Sequence, residues 1–197
     1  MRKLNFVPAL QSEFATVEAV LNSDGPTRRV DALLLCWIKY EKQLRRLFSF
    51  LVFQHPKFTE STIDSVISAL VKNKHLNPET FTKGINQLKV RSVSDLLGTK
   101  YSALNTEISR IRRYRNKLMH GQITGQNITS RQIERDISYL IDRIETLAMA
   151  ADSEFGYDGI RPNTYRSAKS SARIAVANYP FNDALEFKGW LRVTLAP

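Results

Sequence analysis

Cysteine is nearly absent from this chain of 197 residues. The single one, Cys36, cannot form an internal disulfide, and its place inside the apolar run ALLLCWI predicts an inert buried thiol. Histidine is scarce too. His55, His75 and His120 are scattered, and with one cysteine they do not make the four convergent ligands of a zinc site, so neither a metal nor another cofactor is expected. There are only eight glycines, and no glycine-rich loop follows a strand, which leaves no visible machinery for nucleotide hydrolysis. Long apolar runs are missing as well: no stretch of ~18 uncharged apolar residues occurs. The start, MRKLNFVPALQSEF, is basic but lacks the continuous apolar segment of a signal peptide. These shortages together predict a soluble, intracellular, cytoplasmic protein with no membrane partner. Acidic residues are the last shortage, 19 Asp plus Glu against 29 Lys plus Arg. The surplus of 10 positive charges favours a polyanionic partner such as nucleic acid over an acidic metabolite.

What the sequence does have is apolar residues at helical spacing. At 43% of the chain they suffice for a core, and the length suits one domain with a terminal extension. Leu10, Phe14, Val17, Val20 and Leu21 predict a helix from Pro8 to about Leu21, ended by SDGP. A wide stripe that includes Leu33, Trp37, Leu44, Phe48 and Leu51 predicts a long core helix from about Arg29 to Gln54, closed by His55-Pro56. Ser61 with Asp64 reads as a capping box opening a third helix. Asn77 followed by Pro78 opens a fourth, and Ser92 with Asp95 opens a short turn that Gly98 closes. Leu104, Ile108, Ile111 and Leu118 share one face of a helix from about Thr99 to Met119. Thr129 with Gln132 then opens a last long helix carrying Ile133, Ile137, Leu140, Ile141, Ile144 and Leu147. Beyond Phe155, glycines, Pro162 and the polar run RSAKSSAR break the period. There EFKGWLRVTL reads as one strand candidate, with Phe187, Leu191, Val193 and Leu195 on one side. The expected division is 1–28, an N-terminal helix and linker; 29–155, an all-α bundle; and 156–197, an irregular extension.

The stretch SRIRRYRNKLMHGQ, Ser109 to Gln122, concentrates the charge. Between Lys100 and His120 six Lys or Arg residues face one acid, Glu107, so half of the chain's surplus lies there. One account is a helix end: cations near a helix C-terminus interact favourably with its dipole, and glycine after it is the usual terminator. A second account starts from Arg115. At about 100° per residue it falls about 40° from Ile111, inside the apolar stripe. A permanent charge placed there must find a carboxylate, a neighbouring subunit or a bound anion. Asn116 and His120, four apart, share a neighbouring face, so a polar side chain can orient the imidazole. Arg110, Arg112, Arg113 and Lys117 would then contact substrate phosphates, or else stand as a solvated basic run. His55 and His75 read as loop histidines. Glu186 and Lys188 imitate the Glu-x-Lys of metal-dependent nucleases but have no surrounding sheet or well-placed upstream Asp.

RNKLMHG, Arg115 to Gly121, resembles the signature of the HEPN-domain ribonucleases: an arginine, a polar residue directly after it, and a histidine four to six residues beyond the arginine. Its position at the C-terminal end of an amphipathic helix, between two long helices, is similar to that family's antiparallel helical bundle. The resemblance spans about Arg29 to Glu154. It implies a metal-independent endoribonuclease that acts as a homodimer, two motifs facing one another across one composite site. Arg115, Asn116 and His120 would be its catalytic residues and RNA its substrate. It also implies a toxin or defence effector, with an antitoxin or regulatory protein as a further partner. The alternatives are a non-catalytic module of the same fold that binds nucleic acid or a nucleotide, and a helical partner of another protein.

Overall fold

A computed structural model of the chain describes residues 8–73, 76–119, 128–162, 165 and 167–195. The fold is all-α, and no strand occurs among the described residues. The helices are α1 (Pro8–Leu21), α2 (Arg28–Val52), α3 (Glu60–Lys72), α4 (Pro78–Gln87), α5 (Val93–Leu97), α6 (Tyr101–Met119), α7 (Ser130–Phe155), α8 (Ser170–Ala175) and α9 (Ala184–Thr194). No helix among the described residues is long and apolar enough to cross a membrane.

Local signals set many of the boundaries. Asn77 Oδ1 accepts from the amides of Glu79 and Thr80, while Thr80 Oγ1 accepts from the Asn77 amide, so both sides of a capping box close in front of α4. Ser92 Oγ accepts from the Asp95 amide at 3.0 Å to open α5, and Thr129 Oγ1 accepts from the Gln132 amide at 3.2 Å to open α7. Gly98, at φ +54°, turns the chain out of α5 into the single 3-10 turn that leads to α6. The start of α3 differs from its expected form. Thr59, not Ser61, is the N-cap, and it makes no side-chain cap bond because its hydroxyl is shared with Ser61 Oγ at 2.9 Å.

Two compact units form. The first unit comprises Met1–Tyr40 with Leu97–Thr146, the second Glu41–Leu96 with Leu147–Pro197. Both long helices are divided internally. α2 gives Leu33, Cys36, Trp37 and Tyr40 to the core of the first unit, and Leu44, Leu47, Phe48 and Leu51 to that of the second. α1 belongs to the first unit, and its Leu10, Phe14 and Val17 are buried.

The C-terminal segment is also a core element. The strand candidate is helix α9: Phe187 and Leu191, one helical turn apart, are buried, whereas Val193 is 83% exposed. Asp183 caps it by accepting from the amides of Leu185 and Glu186, and these donors hold its carboxyl below the usual range. α9 packs on α3 in the second unit. His55 lies in the loop between α2 and α3, as expected, and its side chain is buried there beside Phe58, Tyr179 and Phe181. His75 lies outside the described residues.

Candidate functional site

Residues 109–119 of the basic stretch form the second half of α6, in the first unit. Leu104, Ile108, Ile111 and Tyr114 carry its buried face, and Leu118 is half-buried. This face fixes where each polar residue of the stretch points. Arg112, Arg113 and Lys117 are exposed; Arg115 and Asn116 are half-buried. His120 and Gly121 lie outside the described residues, so the motif is described as far as Met119.

Arg115 and Asn116 are brought together. Arg115 Nη1 donates to Asn116 Oδ1 at 2.9 Å, which ties the arginine to the polar residue that follows it. The guanidinium lies over the ring of Trp37 on α2, with Cζ 5.4 Å from the ring centroid. A charge set in the apolar stripe is thus received by an aromatic face. Trp37 meets Tyr40 edge-on, with centroids 5.6 Å apart. The far side of this pair meets a second guanidinium: Arg143 of α7 lies over the Tyr40 ring at 5.3 Å, and its Nε donates to Tyr40 Oη at 3.1 Å. Trp37, Tyr40 and Arg143 are all fully buried. The result is a row, Arg115–Trp37–Tyr40–Arg143, drawn from three helices.

Arg110 is placed differently from its neighbours. Its Nε donates to Glu107 Oε2 at 3.0 Å and its Nη1 to Asp136 Oδ2 at 3.2 Å, and Nη2 also engages Asp136. Asp136, buried on α7, accepts further from Gln132 Nε2 at 2.8 Å and from the Tyr114 hydroxyl. The Asp136 hydrogen bond, with Glu107 adding to it, raises the Arg110 pKa above its ordinary value. Burial, and then the Asp136 carboxylate, push the Tyr114 hydroxyl up as well. Arg110 therefore joins α6 to α7 through Asp136, while Glu107, on α6 itself, holds it within its own helix. Arg112, Arg113 and Lys117 are the members of the basic run that face solvent.

Asp136 and Arg143 were not picked out from the sequence, although a signal for them existed. Asp136, Leu140, Arg143 and Leu147 follow one another at spacings of four and three along α7, so two charged residues share a line with buried leucines. The stripe test that singles out Arg115 on α6 singles out both of them on α7. Trp37 carried no comparable signal, because an aromatic in a core stripe reads as core.

Elsewhere in the chain, Cys36 is buried, and burial pushes its thiol up to about 12, as expected of an inert cysteine. Among the described residues no three His, Cys, Asp or Glu side chains gather where they could hold a metal ion. A groove of about 420 Å³ in the second unit, lined by Phe53, Ile67, Leu70 and Phe81 with Arg45 beside them, contains none of the motif residues. Set against family models, curated proteins and solved structures, the chain matches none, so the chemistry of this site has to be read from its own side chains.

Proposed function

We propose that the chain is a HEPN-like endoribonuclease that cleaves RNA without a metal ion, through Arg115, Asn116 and His120 of two copies of itself. The observation that carries this reading is the Arg115–Asn116 hydrogen bond at 2.9 Å on the last turns of α6, directly ahead of His120 in the chain. It supports a guanidinium held by its neighbours rather than one waving in solvent, as a phosphate-binding cation requires. The three exposed cations Arg112, Arg113 and Lys117 on the same helix supply a field that draws a polyanion to it.

The chemistry asks little more of the protein. The RNA 2′-hydroxyl gives up its proton and its oxygen bonds to the adjacent phosphorus. The P–O5′ bond then breaks and the 5′ oxygen takes up a proton, leaving a 2′,3′-cyclic phosphate and a 5′-hydroxyl. In a homodimer two copies of His120 are at hand, one to accept the first proton and one to supply the second. Arg115 stabilises the charge that gathers on the phosphorane oxygens. On an ideal helix Arg115 and His120 diverge by about 140°, which favours a site completed by a second copy. A toxin or defence effector held in check by an antitoxin is the setting this activity fits.

The test is incubation of the purified protein with mixed RNA, with and without EDTA. Cleavage that survives EDTA, spares DNA and leaves cyclic-phosphate ends is expected. Arg115→Ala and His120→Ala should each lower the rate by about two or more orders of magnitude. Activity abolished by EDTA, or cleavage of DNA, would overturn the mechanism. RNA binding with no cleavage would leave the non-catalytic module in its place.

A further inference from the structure

The helix α3 carries an apolar stripe that its packing does not use up. Ile63, Val66, Ile67, Leu70 and Val71 recur at helical spacing, yet Val66 alone of the α3 residues is fully buried. Ile67 and Leu70 are half-buried and Val71 is 78% exposed, and all three line the groove of about 420 Å³ in the second unit. Water against such a face is displaced favourably by an apolar ligand.

The α2 wall of the same groove is polar at one end and aromatic at the other. Arg45, Ser49 and Phe53 follow one another every four residues, so they share one side of the helix, with Arg45 about 12 Å from Phe53 along it. Phe53, just past the end of α2, keeps the helical bond of its amide to the Ser49 carbonyl at 2.9 Å. Tyr165 stacks on it with centroids 4.7 Å apart and adds a second ring there.

Charge at the polar end is not balanced. Arg45 is exposed, and no carboxylate among the described residues pairs with it. Arg46 beside it donates to the Ile160 carbonyl oxygen, which does not neutralise it. Glu41, one turn earlier, also lines the groove and has an interaction of its own, so two cations there stand against one acid.

We propose that this groove binds a small amphipathic carboxylate, its anionic head at Arg45 and its alkyl chain laid along α3 toward Phe53. The volume lies within the about 300–1,000 Å³ of small-molecule sites, which are mostly apolar with a few placed polar groups. An inorganic anion would leave the apolar wall wet, and a neutral hydrocarbon would leave Arg45 without a counter-charge. None of the motif residues lines the groove, so this site stands or falls apart from the ribonuclease reading.

The test is calorimetric titration of the full chain with octanoate, and with 1-octanol as its uncharged counterpart. A saturating one-to-one isotherm is expected for octanoate, with a Kd that rises as salt is added. Arg45→Ala should weaken octanoate about threefold to fivefold, the scale of an exposed ion pair, and Arg45→Glu about tenfold or more, because repulsion replaces attraction. Neither should change octanol binding by more than about twofold. Ser49→Trp puts a large ring midway along the groove and should abolish saturable binding of both ligands, with circular dichroism confirming that each variant is folded. Octanoate bound alike by wild type and Arg45→Glu overturns the proposal, and so does a non-saturating isotherm or a folded Ser49→Trp protein that binds as wild type does. Acetate bound as tightly as octanoate overturns it too. Capture by phosphatidylglycerol vesicles with no octanoate isotherm would make this face a lipid contact instead and equally overturn it. If Ser49→Trp unfolds, Arg45→Glu decides, since Arg45 is exposed and its replacement leaves the core intact.

Discussion

Replacing Asp136 by alanine should destabilise the first unit more than almost any other single polar change in it. The carboxylate is fully buried and accepts from Arg110, Tyr114 and Gln132. Without it the buried Tyr114 hydroxyl loses its acceptor, at a cost of about 1–3 kcal/mol. Arg110 keeps Glu107, and its side chain is 29% exposed. Its loss is therefore nearer the about 1.5–3 kcal/mol of one charged hydrogen bond than the about 3–5 kcal/mol of a fully buried pair left broken. Relief of the carboxylate's own burial offsets part of the sum, so a net loss of about 3 kcal/mol is expected. Urea unfolding followed by circular dichroism measures it; in a thermal scan the same loss lowers Tm by about 6–12 °C at this chain length. Tyr114→Phe removes one donor and should cost only about 1 kcal/mol, and in the double variant the two effects should fail to add by about 0.5–3 kcal/mol. A loss below about 1 kcal/mol for Asp136→Ala, or strict additivity, would refute the claim that this carboxylate ties α6 to α7.

Burial, with repulsion from Lys57, lowers the His55 pKa below its ordinary value against the opposing pull of Asp183. A depressed folded value means that this stability is fully present above the unfolded pKa of about 6.5 and is lost as pH falls through the folded one. The difference in unfolding midpoint between wild type and His55→Phe should therefore change on acidification below about pH 6.5, and a difference constant with pH would exclude it. Gly84→Ala should lower Tm although alanine favours helix, because its Cβ would stand 2.7 Å from Phe48 Cε2. Overpacking of about 1–3 kcal/mol outweighs a propensity gain of about 1 kcal/mol, and a raised Tm would contradict this. Arg112→Ala should weaken RNA binding and reduce the salt slope by about 1 without abolishing cleavage. Arg110→Ala, by contrast, should act chiefly on unfolding, and binding measured across salt concentrations separates the two.

The sequence by itself determined the all-α class and many of the helix boundaries, because those depend on neighbours a few residues apart. The cap at Asn77, the opening at Ser92 and Asp95 and the apolar face of α6 are local chemistry, and so is the placing of Arg115 within that face. Periodicity alone could not decide α9. Phe187, Leu191 and Leu195 are spaced by four, an even number that fits both a strand face and a helix face, and the Asp183 cap together with the packing on α3 resolves it. The unit boundaries were hidden for a related reason: the stripe of α2 runs unbroken through Tyr40 and Glu41, and only the partners its residues meet assign them to different cores. Tertiary structure also decided what receives each charge. The sequence sets Arg115 within the apolar stripe of α6 and Arg110 beside it, but only the packing shows that Arg115 meets the face of Trp37 and Arg110 the carboxylate of Asp136. Asp136 and Trp37 come from other helices, and the environment of a side chain in a core is set by which helices pack together rather than by its neighbours along the chain.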